Sequence, residues 1–326
     1  MKSALSMMLG VAAVALVAAP LTSYAGGTIA GKVTFAGKAE QKEFLFSKFP
    51  NPKFCPQIPD KSKADGDKRF LKQIEVAKDG GLKGAVVAVV DIEDKAWMDG
   101  YAGTEVVAAF CDFQPFSGVV VNTRPFKVEN TDADADDPKS VAGVLHNPHS
   151  FTVKGSSSAT GFNIGLAKKG DKLDKPVTFR GGAEKEGYFR LQCDQHEFMQ
   201  SFFLPVSNAH FAVAKDDGSF EIKDVPAGKH KVVAWHPFAG KAKKIEFEVD
   251  VTDGGTANLK AEIEGLPYGV EAGFAIYDHD GSRNIYTGVN FTPMLESPFS
   301  SLETYLSVNR VDYAKLEVMK VVELRA

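Results

Sequence analysis

Only three cysteines occur in 326 residues, too few for a disulfide-dense scaffold, so the fold has to rest on a hydrophobic core. Beyond residue 25 no stretch approaches the roughly 18 consecutive apolar residues of a membrane helix, and no span is expected in the mature chain. Basic residues are not in excess either. With 38 Lys and Arg against 42 Asp and Glu, and a net charge of −4, the chain lacks the electrostatic footprint of a nucleic-acid binder. Sustained helical periodicity is missing, and methionine is sparse: past the first 25 residues only Met98, Met199, Met294 and Met319 occur. The seven histidines are mostly scattered singly, at His210, His230, His236 and His279, with His146, His149 and His196 the exceptions.

The first 25 residues set the compartment. Lys2 precedes an apolar run from Met7 to Ala19, and Pro20-Leu21-Thr22-Ser23-Tyr24-Ala25 breaks it with small residues at positions −3 and −1. That is the pattern of a secretory signal peptide, cut after Ala25, and it predicts a periplasmic protein beginning at Gly26. No cysteine stands at the cut to take a lipid. In an oxidising compartment two of three cysteines are expected to pair and the third needs a reason. Cys55 and Cys111, each in a loop-like setting with Pro and Phe, form the natural pair. Cys193 is then left over.

The remaining chain reads as all-β. Short segments rich in Val, Phe and Ile, among them Thr28 to Phe35, Gly84 to Asp91, Glu105 to Phe110, Phe126 to Glu129, Ser150 to Val153, Pro176 to Phe179, Tyr188 to Gln192 and Phe202 to Val206, are separated by Gly, Asp, Asn and Pro turns. Many short strands of this kind predict a sandwich. A second antiparallel sandwich is predicted near His210, from the strands at Phe211, Ser219 to Ile222, Lys231 to Trp235 and Lys244 to Val251. The expected division is a leader at 1–25, a first sandwich domain at 26–206, a second at 207–264 and an extension at 265–326. Within the extension, 301–309 or 311–319 is a candidate short helix.

The chemistry concentrates in Cys193-Asp194-Gln195-His196-Glu197-Phe198-Met199, between two predicted strands. A tight loop there presents a thiol, an imidazole and a thioether together. Soft sulfur ligands with a borderline imidazole suit copper, and a thiolate with two histidines and a weak axial methionine defines an electron-transfer copper site. The second histidine has to come from Leu145-His146-Asn147-Pro148-His149, where either His146 or His149 is placed to reach the loop.

Here the residues carry a resemblance. Cys193-x-x-His196-x-x-Met199, with Phe198 before the methionine, resembles the ligand loop of amicyanin, and Leu145-His146-Asn147 resembles the His-Asn pair of the plastocyanin and azurin group. The likeness implies a cupredoxin, a Greek-key β-sandwich over about 28–206 holding one type 1 copper through His146, Cys193, His196 and Met199. It also implies that Asn147 ties the two ligand loops together. Glu197 and Gln195 stand where amicyanin has prolines, and the domain is nearly twice the usual length. The region from Phe211 to Val251 is similar to the carboxypeptidase regulatory-like domain, an appendage and not a peptidase.

The resulting expectation is a carrier of single electrons and not an enzyme, with one histidine edge near the surface and a redox protein such as a c-type cytochrome or an oxidase as partner. Copper storage, delivery or sensing, or a structural or adhesive module, are the competing classes. His236 is expected to be structural. The acidic run Asp132, Asp134, Asp136 and Asp137 reads as a solvated loop, conceivably a calcium site, or as a docking surface for a basic partner.

Overall fold

The computed structural model describes residues 26–264, apart from 40, 181–184 and 240–242, together with the backbone of 271–277, 283–290 and 316–319. The predicted leader lies outside the described residues. Within them the chain is all-β, and the α-helix Lys95–Gly100, capped by the Asp94 carboxylate on the Trp97 amide, is a single short turn. No described helix is long and apolar enough to cross a membrane.

Alternation of side chains across strands decides how the sheets stack. Every residue of Val86–Val89 is buried, which requires a partner on each face: Val87 and Val89 enter one core, Val86 and Ala88 another. Gly228–Trp235 behaves likewise, with Val232 and Ala234 on the first side and Val233 and Trp235 on the second. Their sheet, in the order Phe211–Val213, Val86–Val89, Gly228–Trp235, Ile245–Val251, is therefore an inner layer. Against its first face packs a sheet of Ser219–Val225, Gly27–Ala36 and Thr256–Glu264. Against its second face packs a five-stranded sheet in the order Ser157–Asn163, Pro148–Lys154, Tyr188–Cys193, Gln200–Pro205, Ser117–Val120. That sheet is two-sided as well: Phe202 and Leu204 meet Trp235, while Phe203 turns to the next core. A fourth sheet, Lys172–Pro176, Pro125–Asn130, Thr104–Ala108, Phe113–Gln114, closes the stack. Each fully buried Val or Phe is worth about 1.5–3 kcal/mol, enough for the shared core around Trp235 to hold the two sandwiches as one body.

The expected boundary between 206 and 207 is corrected by the strand pairing. Gly27–Ala36 lies antiparallel to Ser219–Val225 and parallel to Thr256–Glu264, and Val86–Val89 pairs with Phe211–Val213 and Gly228–Trp235. Both early strands thus belong to the downstream sandwich. The third and fourth sheets, built from residues 104–205, are inserted between its strands. Gly31 shows how close the early strand must come: a Cβ there would sit 1.8 Å from the Leu259 carbonyl oxygen. Thr256–Glu264, absent from the expected strands, supplies that neighbour.

Residues 41–72 form a cap outside both sandwiches, a small sheet of Gln41–Leu45, Lys68–Lys72 and Ala64–Asp65 with 3-10 turns between them. The cap is fastened to the body by the expected Cys55–Cys111 disulfide, a bridge of 56 residues' separation. Loops of this kind stabilise by about 2–4 kcal/mol when closed. Arg69, 2% exposed, adds a buried ion pair with Asp112 at 2.8 Å, and Lys63 reaches the same carboxylate at 2.7 Å. Farther along, Arg283–Asn290, Glu271–Tyr277 and Leu316–Met319 make a sheet of their own, so 316–319 is extended and not helical. The alternative helix at 301–309 lies outside the described residues.

Candidate metal centre

Three segments meet at one end of the inserted sandwich. The loop from Cys193 to Met199 joins Tyr188–Cys193 to Gln200–Pro205 and is closed by its own backbone: the Cys193 amide donates to the Met199 carbonyl at 3.1 Å, and the Met199 amide to the His196 carbonyl at 2.8 Å. The second segment is the chain entering Pro148–Lys154. Asn147 donates its amide to Cys193 Sγ at 3.3 Å and accepts the Asp194 amide at 3.1 Å. The two loops are tied through the backbone of Asn147. Its side-chain Oδ1 is buried without a hydrogen-bond partner.

His146, Cys193, His196 and Met199 are all 0% exposed. One ligand atom each from His146, Cys193 and His196 lies within 4.8 Å of the others. His149 is not among them. Its ring lies tilted against Phe151 and bonds to Asp194 at 3.1 Å and Thr160 at 3.1 Å. His146 lies before the strand Pro148–Lys154, bridged to Leu166 through its backbone, and is the one brought to the loop.

The hydrogen bonds also choose the nitrogens. His146 Nε2 donates to the Asp132 carboxylate at 2.8 Å, and this leaves Nδ1 buried without a partner. A buried polar atom left in that state costs about 1–3 kcal/mol, so the atom marks a place for a ligand. His196 Nε2 donates to the Pro50 carbonyl at 3.1 Å, and its Nδ1 stands 3.8 Å from Cys193 Sγ. Both imidazoles are therefore fixed at Nε2 and present Nδ1 inward, the arrangement by which outer partners orient metal-binding histidines. Burial pushes the Cys193 thiol up, but the two imidazoles beside it, His146 and His196, outweigh it and bring the thiol down to about 6. His146 itself is lowered by burial and raised more by Asp132 and Cys193, for a net rise. A thiol held low beside two imidazoles is ready to lose its proton, the form a metal binds. Met199, buried at the end of the same loop, adds a thioether to the residue set, and a thiolate, two imidazoles and a thioether fit copper.

Two sequence expectations change here. No histidine edge reaches the surface, because the cap lies over His196: Phe198 packs edge-on against Phe44, Phe46 and Phe49, and Pro50 covers the ring. The acidic run is divided: Asp132 and Asp134 are buried, 3% and 7% exposed, while Asp136 is exposed and Asp137 half-buried. Asp132 accepts the Phe110 and Cys111 amides at 2.6 and 2.9 Å along with His146. The disulfide also borders the centre, because both its sulfurs lie within 4.8 Å of a His196 nitrogen. His236, expected to be structural, is buried, and burial brings it down to about 4; its Nδ1 accepts the Phe238 amide at 3.3 Å.

No family model matches the chain, and no curated protein matches it. Among solved structures, it is similar to a Cu-containing nitrite reductase from Thermus scotoductus SA-01 at 14% identity and TM-score 0.24, over 32% of this chain and 23% of that one. An oxidized amicyanin variant matches at 18% identity and TM-score 0.22, over 32% of this chain and 83% of amicyanin. A Cu(I) form of another amicyanin variant matches at 16% and TM-score 0.22, over 38% of this chain and all of that one. These neighbours are cupredoxins. The chain thus spans less than a quarter of the nitrite reductase and nearly the whole of amicyanin. The ligand assignment rests on the hydrogen bonds above and not on these likenesses.

Proposed function

We propose that this chain is a periplasmic copper protein that carries single electrons, with His146, Cys193, His196 and Met199 holding one copper ion. The observation that supports it best is the pair of buried imidazoles whose Nε2 atoms are engaged, by Asp132 and by Pro50, while both Nδ1 atoms are left to the Cys193 thiol. Copper bound there would supply a one-electron Cu(I)/Cu(II) couple.

The chain's own part is to hold the donors still and keep water out. The ligand loop is closed by backbone bonds, Asn147 locks it to the neighbouring loop, and the Asn147 amide donates to the sulfur and so favours its ionised form. Phe198 and the cap exclude solvent from above. Four fully buried donors leave little room for a substrate, which fits a carrier better than an enzyme. The leader supports the periplasm. The downstream sandwich, read as a regulatory-like appendage, would serve as the mount on which the copper sandwich is inserted.

Copper-loaded protein is expected to be blue or green, to bleach with ascorbate and to recover its colour with hexacyanoferrate(III), with one copper per chain throughout. A colourless protein that fills with copper would contradict the reading. Release of the metal on reduction would move it to storage or delivery.

A further inference from the structure

The cap over His196 differs in charge from the chain that carries it. Residues 41–72 hold eight basic side chains against four acidic ones, in a protein whose net charge is −4. Several of those cations are engaged: Lys42 with Glu197, Lys63 and Arg69 with Asp112, and Lys68 with Glu43. Lys48 and Lys53 are exposed and, among the described residues, pair with no carboxylate.

Those two lysines flank Pro50, an exposed residue whose carbonyl accepts the His196 Nε2 proton at 3.1 Å. The corresponding bond from His146 leads inward to Asp132, which is itself buried. Of the two ligand rings, His196 alone is one hydrogen bond from an exposed residue. The groove beside Pro50 also has Asp194 and Glu197 on its wall. Glu197 pairs with Lys42, and Asp194 accepts from the Asn163 amide group and lies against the His149 ring. The turn from Lys48 to Lys53, at the exit from the ring, itself carries two lysines and no acidic residue.

We propose that the turn from Lys48 to Lys53 is the docking face for a redox partner with an acidic contact surface. The inference rests on the electron-carrier reading. It reverses the sign of the partner that the acidic run suggested, because the member of that run bonded to a ligand ring, Asp132, is buried. One electron crosses at such a contact, no bond forms or breaks and no proton moves: one protein is oxidised by one as the other is reduced by one. Opposite charge there raises the encounter rate and orients the acidic partner with Pro50 central.

Two measurements test it with the full chain. Copper-free protein labelled with 15N is titrated with hexacyanochromate(III), an inert paramagnetic trianion. Amide signals of residues 47–49, 51, 53 and 54 are expected to broaden first, and Lys48→Glu with Lys53→Glu to remove the effect. Copper-loaded protein in its reduced form is then mixed with hexacyanoferrate(III). Its oxidation rate is expected to fall with ionic strength and to drop about tenfold at low salt in the double variant, with the colour unchanged. Broadening centred on another face, or a double variant that reacts at the wild-type rate, would overturn the docking face. A colourless wild type would instead count against the carrier reading, and the titration of the copper-free protein would still decide where an anionic surface binds.

Discussion

Cys193→Ala is expected to take up copper without colour and with an affinity reduced by more than the roughly 10–100-fold that outer partners of a metal site command. The reason is chemical before it is structural. Cys193 is the free thiol among the described cysteines, it sits between two imidazoles, and their influence holds it down to about 6 in spite of full burial. Alanine leaves two neutral nitrogens and a thioether, with no anionic donor to balance a cupric ion. The loop itself is expected to persist, because its closing bonds run through the amides of residues 193, 194 and 199. Competition with a chelator of known affinity, together with a spectrum, checks both halves. A coloured or tightly binding Cys193→Ala would remove the thiolate from the account.

Asp132→Asn is the second large effect, because one carboxylate does three tasks. Its Oδ1 accepts the Phe110 amide, and its Oδ2 accepts both the Cys111 amide and His146 Nε2. An amide group keeps one acceptor oxygen and turns a donor toward one of these donors. If His146 loses its acceptor at Nε2, its proton is free to move to Nδ1, the atom that faces Cys193. Copper affinity is then expected to fall about 10–100-fold, and an amide left unpaired costs about 1–3 kcal/mol of stability besides. The imidazole nitrogen shifts of His146 distinguish positioning from mere loss of fold: Nε2–H in the wild type, a mixture or Nδ1–H in the variant. An unchanged tautomer and unchanged affinity would make Asp132 a structural residue only.

Much of this centre was legible because it is local. Cys193, His196 and Met199 fall within seven residues between two strands, and tight loops bring such residues together whatever the rest of the chain does. The Cys55–Cys111 pair was likewise open to arithmetic, with three cysteines and one of them in the ligand loop. What could not be read depends on distant pairing. Gly27–Ala36 resembles any edge of the first sandwich until Thr256–Glu264, more than two hundred residues later, lies parallel to it. Period-two alternation says that a strand has two faces but not which sheet each face meets. Asp132 stands 14 residues before His146 in a run of carboxylates, a pattern that ordinarily marks solvent, and nothing local tells a buried acceptor from an exposed acid. Pro50 is harder still. It acts through its backbone carbonyl, which carries no residue-specific signal at all.

The most direct test of the account is copper-edge X-ray absorption on the copper-loaded full chain. One short sulfur bond, two imidazole nitrogens and a weaker second sulfur are expected, with the short sulfur lost in Cys193→Ala. A copper ion surrounded only by nitrogen and oxygen, with the same spectrum in that variant, would contradict it.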